Sequence, residues 1–176
     1  MEVEIECRIL EIEPIEIQKK LKKIGAKKIK DRFMKRYVYK INSTNEHSWI
    51  RLRDNGETVT LTVKEIHTEE IDGTKEMEIE VNDFEKTNKI LQKLGFVVIA
   101  YQENKRISYK FGDVEIEIDF WPKIPPYLEF ESDSKDKIEK VVELMGYKMS
   151  DTTSLSNLKI YKKYGIDIHS YKELKF

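Results

Sequence analysis

The chain has 176 residues, of which 39% are hydrophobic and 37% charged, and its formal net charge is −1. Its length suits one domain, and we expect residues 1–176 to fold as a single unit. The near-zero charge gives no basic field for a nucleic-acid partner, the single cysteine excludes an internal disulfide, and no apolar run is long enough to span a membrane. The acidic N-terminus does not resemble a secretion signal, so we expect a cytoplasmic protein.

The first half of the chain is predicted to form a strand at 3–9, a helix at 14–25, a long strand at 27–41 and a hairpin with strands at 49–53 and 58–64. Pro14 suits a first helical turn and Gly25 a helix end, with apolar residues at helical spacing between them. A polar turn is predicted at 42–45. Asp54, Asn55 and Gly56 are the residue types of a tight hairpin turn.

After a loop near 72–73, the second half is predicted to form a strand at 76–81, a helix at 82–95 and a hairpin with strands at 96–111 and 113–121. A proline-rich corner, a strand at 127–131 and a helix that ends at Gly146 follow. Asn82 and Glu85 form a capping-box pattern at the start of the middle helix. The total is about eight strands and three or four helices. Cys7 and Trp121 are expected to be structural residues.

Five segments alternate apolar and charged residues with a period of two, at 3–9, 49–53, 77–81, 114–120 and 128–131. Side chains alternate across a strand, so each segment has one apolar and one charged face. A solvated antiparallel sheet has the same pattern, and for any one segment that is the simpler interpretation. Acids are concentrated in some segments and arginines in another, which favours a common charged site.

A strand, a helix and a glycine recur in this order three times, ending at Gly25, Gly95 and Gly146. Each helix can cover the apolar side of the strands, which leaves the charged faces uncovered. We therefore expect an α+β fold in which an eight-stranded antiparallel sheet closes into a barrel around a charged tunnel. An open sheet with helices on one side is also compatible with the pattern.

The charged faces carry two complementary groups of side chains. Hard oxygen ligands of the kind that Mg²⁺ and Mn²⁺ prefer are offered by Glu4, Glu6, Asp119, Glu129 and Glu131. Donors for phosphate oxygens are offered by Arg8, Arg51, Arg53, Lys64 and Arg106. Together they predict a metal held between carboxylates and a polyphosphate. Trp49 has the same parity as Arg51 and Arg53, so it either stacks on an organic group of the ligand or packs at the end of the barrel.

These residues resemble the CYTH superfamily of triphosphate tunnel metalloenzymes. Glu4-Ile5-Glu6-Cys7-Arg8 is similar to its ExExK signature, and the resemblance extends over nearly the whole chain through Arg51, Arg53, Lys64, Glu78, Glu80, Arg106, Asp119, Glu129 and Glu131. Two departures are clear: Arg8 replaces the signature lysine, and Asn104-Lys105-Arg106 places Lys105 on the other face of its strand.

The resemblance implies an eight-stranded antiparallel tunnel with one or two divalent ions, Mg²⁺ or Mn²⁺, held by the five carboxylates. It implies that the five basic residues grip a triphosphate, that Glu78 and Glu80 orient them or assist the metal, and that Glu4, Glu6, Arg8 and Arg106 take part in catalysis.

Three functions fit this resemblance. The first is a triphosphatase acting on inorganic triphosphate, a nucleoside triphosphate or thiamine triphosphate, which we favour because hydrolysis needs no base-recognition pocket. The second is a class IV adenylyl cyclase that converts ATP to cyclic AMP and pyrophosphate. The third is a module that binds polyphosphate or nucleotide without turnover. The oligomeric state is left open, with a homodimer as one alternative.

Overall fold

The computed structural model describes residues 2–41, 47–68 and 74–176, and it describes side chains for residues 5–41, 47–68 and 75–176. The strands are β1 (Glu2–Ile9), β2 (Lys27–Lys40), β3 (Ser48–Asp54), β4 (Val59–Ile66), β5 (Thr74–Val81), β6 (Val97–Phe111), β7 (Val114–Phe120), β8 (Tyr127–Ser132) and the short β9 (Glu173–Leu174). The helices are α1 (Pro14–Ile24), α2 (Phe84–Lys93), α3 (Lys135–Leu144) and α4 (Asn157–Lys163). The turn predicted at 42–45 and the loop predicted near 72–73 lie outside the described residues.

The strands form one antiparallel sheet in the order β2-β3-β4-β5-β1-β8-β7-β6, with β9 added in parallel to β6. The sheet curls strongly, because β2 pairs with β3 on one side and with β6 on the other. The prediction of an α+β fold with an eight-stranded antiparallel sheet is confirmed. The fully closed barrel stays a proposal.

The repeated strand, helix and glycine units lie side by side. Strands β5, β1 and β8 are neighbours in the sheet, and each is followed by a helix. Helix α1 ends at Gly25, whose φ of 82° is in the left-handed region that glycine enters without a steric penalty. Its backbone N–H donates to Lys22 O at 3.1 Å, which satisfies one free carbonyl of the last turn.

The N-cap of helix α2 lies one residue later than predicted. It is Asp83 rather than Asn82, and the Asp83 carboxylate accepts a hydrogen bond from the backbone N–H of Lys86 at 2.8 Å. An aspartate at this position also carries a charge that favours the positive end of the helix. The capping box predicted from Asn82 and Glu85 is therefore wrong.

The main core lies between the helices α1 and α3 and the apolar side of β1, β7 and β8. Leu21, Ile116, Phe130 and Ile138 are fully buried there. Cys7 belongs to this core with 2% exposure, and burial raises the pKa of its thiol to about 11. The prediction that Cys7 is a small core residue is confirmed.

Strand β5 departs from the expectation that helices cover the whole apolar side. Met77 and Ile79 are 57% and 58% exposed, although they lie on its apolar face. Helix α2, which follows β5 in the chain, packs Phe84 and Leu91 against a cluster that includes Leu52 of β3 instead. No helix in the described part of the chain is long and apolar enough to cross a membrane.

Candidate functional site

Three carboxylates converge on the charged side of β1 and β8, and we call Glu6, Glu129 and Glu131 the acidic cluster. One oxygen from each lies within 4.8 Å of the others. The register explains the convergence, because Glu6 is paired with Glu131 and Arg8 with Glu129, and paired residues share a face. Carboxylates this close repel one another unless a positive charge lies near them, and their hard oxygens suit a divalent cation.

Arg8 lies against two members of the acidic cluster and fixes their positions. Its NH2 atom is 2.8 Å from Glu6 Oε2 and its Nε atom is 2.7 Å from Glu129 Oε2, while NH1 donates to Leu155 O at 3.0 Å. Burial opposes the charge on Arg8, but the two carboxylates outweigh it and raise the pKa of the guanidinium. Burial would likewise raise the pKa of Glu129, yet the neighbouring cations, Arg8 foremost, lower it.

Asp119 lies beside Arg106 and not in the acidic cluster. Arg106 contacts both carboxylate oxygens, with Nε 2.9 Å from Oδ1 and NH2 2.5 Å from Oδ2. The Asn104 side chain also donates to Oδ1, at 3.0 Å. Since Arg106 NH2 is 3.0 Å from Glu129 Oε1 as well, Arg106 links fully buried Asp119 to the acidic cluster.

The predicted phosphate-binding residues of β3 and β4 lie near glutamates of β5. Arg51 NH2 is 3.1 Å from Glu78 Oε2, and Arg53 NH2 is 3.6 Å from the same oxygen. Lys64 is paired with Glu76 at 2.9 Å, a partner that the sequence did not indicate. The neighbouring Arg51 guanidinium, together with burial, lowers the pKa of Arg53, so these cations repel one another in the free protein.

Three other predicted residues have fewer described contacts. Glu80 is exposed and is paired in register with Thr60. Trp49 is half-buried and is paired with Lys64, which puts it on the charged face as its parity predicted. The side chain of Glu4 lies outside the described part of the structure, although its backbone belongs to β1.

Lys105 is exposed and lies over the ring of Phe176, on the opposite side of β6 from Arg106, as predicted.

The charged face also holds residues that the sequence pattern did not indicate, among them the buried Arg36, Asn104 and Glu117 and the partly buried Arg32. Glu117 is 3% exposed, and burial raises the pKa of its carboxyl although Arg32 NH2 lies 3.4 Å from it. The signal for Glu117 was its parity with Asp119 in an alternating segment. Arg32 and Arg36 also share parity, but basic residues occur on both faces of β2, so charge alone did not distinguish them.

The sequence and the fold agree on one family. A CYTH domain profile matches residues 2–159, and the chain belongs to this family. Its members include adenylyl cyclases and triphosphatases, which bind triphosphate substrates and depend on divalent metal ions.

Several known proteins are similar to this chain. A Methanocaldococcus jannaschii protein provisionally named an adenylate cyclase is 29% identical over 155 residues, covering 81% of this chain and 87% of the relative. A conserved hypothetical protein from Pyrococcus furiosus matches with a TM-score of 0.76 at 24% identity, over 89% of this chain and 99% of its own. A Hippeastrum protein, provisionally named an adenylyl cyclase and described as having a dominant triphosphatase activity, matches with a TM-score of 0.60 at 14% identity, over 97% and 100%. The two structural likenesses concern the fold.

Proposed function

We propose that the protein is a divalent-metal-dependent phosphohydrolase acting on a triphosphate-containing substrate, such as inorganic triphosphate, a nucleoside triphosphate or thiamine triphosphate. The observation that supports this most is that a cluster of carboxylates and a group of arginines lie on different strands of one face of the sheet. The acidic cluster lies on β1 and β8, and Arg51 and Arg53 lie on β3. In the curled sheet, β3 is four strands away from β8 in both directions, through β4 on one side and through β2 on the other. Such an arrangement suits a metal on one side and a polyphosphate on the other.

The acidic cluster suits a resident Mg²⁺ or Mn²⁺ ion. Three oxygens that converge within 4.8 Å provide hard ligands, and Arg8 and Arg106 contact two of the carboxylates and orient them. When bound, the ion would neutralise charge on phosphate oxygens and lower the pKa of a water molecule. The described partners of Arg8 favour a positioning role for it, as an arginine that orients Glu6 and Glu129.

The cationic side of the face would bind the triphosphate. Guanidinium groups bind phosphate oxygens in bidentate fashion, and Lys64 adds a point charge on β4. Glu76 and Glu78 would hold Lys64 and Arg51 in position until the substrate arrives. The curled sheet, with β2 paired to β6, supports a closed tunnel around this ligand, from which bulk water is partly excluded.

A class IV adenylyl cyclase is the second candidate. Trp49 lies half-buried on the charged face, two residues before Arg51, where an aromatic ring can stack on a nucleotide base. The name of the Methanocaldococcus jannaschii relative points in the same direction. In this reaction the ribose 3′-hydroxyl would attack the α-phosphorus of ATP. A non-catalytic polyphosphate-binding module is the third candidate, and cytoplasmic residence stays a prediction from the sequence.

The products of the reaction test these alternatives. Purified protein is incubated with tripolyphosphate, ATP or thiamine triphosphate in the presence of Mg²⁺ or Mn²⁺, and the products are resolved by ³¹P NMR. We expect orthophosphate from at least one substrate, and no activity after EDTA treatment. Cyclic AMP with pyrophosphate from ATP would replace the hydrolase by the cyclase. Tight binding of every substrate without any product would contradict both enzymes.

A further inference from the structure

Arg36 of β2 is a buried cation whose surroundings differ from those of the other arginines on the charged face. The residue is 7% exposed. Its guanidinium lies over the ring of Trp121, 4.6 Å from the centroid, and donates to Asn104 Oδ1. Its Nε–H group is buried without an acceptor, and no carboxylate of the described residues forms an ion pair with it. A buried charge normally has such a partner.

The position of Arg36 in the sheet makes this isolation costly. Arg36 and Arg53 are register partners on β2 and β3, so the two residues lie directly opposite each other on one face of the sheet. Like charges in directly opposite positions destabilise a sheet. Burial, followed by Arg51, Arg53 and Arg106, lowers the pKa of Arg36 well below its usual range, and the attraction of Asp119 does not compensate.

A second pair of facing arginines, which also includes a residue of β2, has a carboxylate that neutralises the repulsion between them. Arg32 and Arg106 are register partners on β2 and β6. Glu117 lies near both, with Oε1 at 3.4 Å from Arg32 NH2 and at 3.9 Å from Arg106 NH1. Among the described residues, the ion pair of Arg53 is with Glu78, which is 3.6 Å away and also accepts hydrogen bonds from Thr62 and Arg51. In this part of the chain, one arginine pair thus has an anion close to both partners, and the other does not.

Two neighbouring arginines have the same unsatisfied donor. The Nε–H groups of Arg51 and Arg53 are buried without an acceptor, as is that of Arg36; the Nε–H group of Arg32 also lacks one, but the Arg32 guanidinium lies beside Glu117. An oxyanion with several acceptor oxygens would accept hydrogen bonds from the three buried donors and neutralise the uncompensated charge. We infer that Arg36, together with Arg51 and Arg53, binds one phosphoryl group of the substrate, and that Arg36 is a substrate-binding residue. The inference rests on the proposed function, which supplies the triphosphate.

The affinity for tripolyphosphate, measured by calorimetry in the presence of EDTA, tests the role of Arg36 apart from the metal. We expect Arg36→Gln to weaken binding by about tenfold or more, because it removes a charge-assisted contact, and Arg36→Lys to weaken it less. Lys35→Gln is the matched control. Lys35 lies next to Arg36 on the opposite face, where it contacts Asp54 at 3.4 Å, and its loss should change the affinity by less than about twofold.

The melting temperature of the ligand-free protein separates binding from folding. Arg36→Gln removes a buried charge that has no counter-ion, so the free variant should melt at the wild-type temperature or above it, while tripolyphosphate stabilises it less than it stabilises the wild type. Unchanged affinity of the variant, or weaker binding together with a lower melting temperature of the free variant, would overturn the inference alone. Failure of the wild type to bind tripolyphosphate, ATP and thiamine triphosphate, in EDTA and in Mn²⁺, would overturn the proposed function as well.

Discussion

Substitution of Glu6 by glutamine is expected to lower kcat/KM of the metal-loaded protein by about a hundredfold or more. The bound ion stabilises the charge of the transition state by several kcal/mol, and loss of one metal ligand removes part of this stabilisation. The stability of the metal-free protein should change by less than about 1 kcal/mol, since Gln still accepts a hydrogen bond from Arg8 and repulsion within the acidic cluster falls. Steady-state kinetics at several Mn²⁺ concentrations and urea denaturation measure the two effects.

The control for Glu6 is Glu139→Gln on α3, which removes the same charge from an exposed position. It should leave both kinetics and stability at the wild-type values. If Glu6→Gln retained full turnover with an unchanged requirement for Mn²⁺, Glu6 would not be a metal ligand and the acidic cluster would need another explanation.

Substitution of Asp119 by asparagine should destabilise the fold by about 3 kcal/mol, through the loss of a buried counter-ion. Asp119 is fully buried and accepts hydrogen bonds from two groups of Arg106 and from Asn104. The asparagine side chain would still accept one of these bonds but would leave Arg106 with less negative charge around it. The midpoint of urea denaturation at constant m-value gives the change in the free energy of unfolding.

Asp113→Asn serves as the comparison for this effect. Asp113 forms an ion pair of 2.8 Å with Lys137, but its side chain is 73% exposed, so its loss should cost less than about 1 kcal/mol. Equal effects of the two substitutions would show that Asp119 is not part of a buried ionic network. A loss of metal binding in Asp119→Asn without a loss of stability would instead return Asp119 to the set of metal ligands.

The period-two alternation made the sheet predictable, because parity fixes which side chains share a face. It placed Arg51, Arg53 and Trp49 together correctly, and it separated Lys105 from Arg106. The helices were predictable from their apolar spacing and terminal glycines. Register was not predictable, since it depends on pairing between distant strands, and for this reason the contact of Lys64 with Glu76 was missed.

The division of the carboxylates was also beyond the sequence. Asp119 and Glu129 have the same residue pattern around them, yet one is bound by Arg106 and Asn104 and the other joins the acidic cluster. Burial decides the importance of Arg36 and Glu117, and burial depends on how far the sheet curls. The short elements after α3 carry no strong periodicity, so α4 and β9 were not predicted individually.

A crystal structure of the complex with tripolyphosphate and Mn²⁺ tests the central claim most directly, that one charged face holds a metal at its carboxylates and the phosphates at its arginines. Anomalous scattering locates the manganese independently of the phosphorus atoms. We predict manganese bound to oxygens of Glu6, Glu129 and Glu131, and phosphate oxygens against Arg51 and Arg53. Manganese away from these carboxylates, or a triphosphate bound outside the curled sheet, would contradict the account.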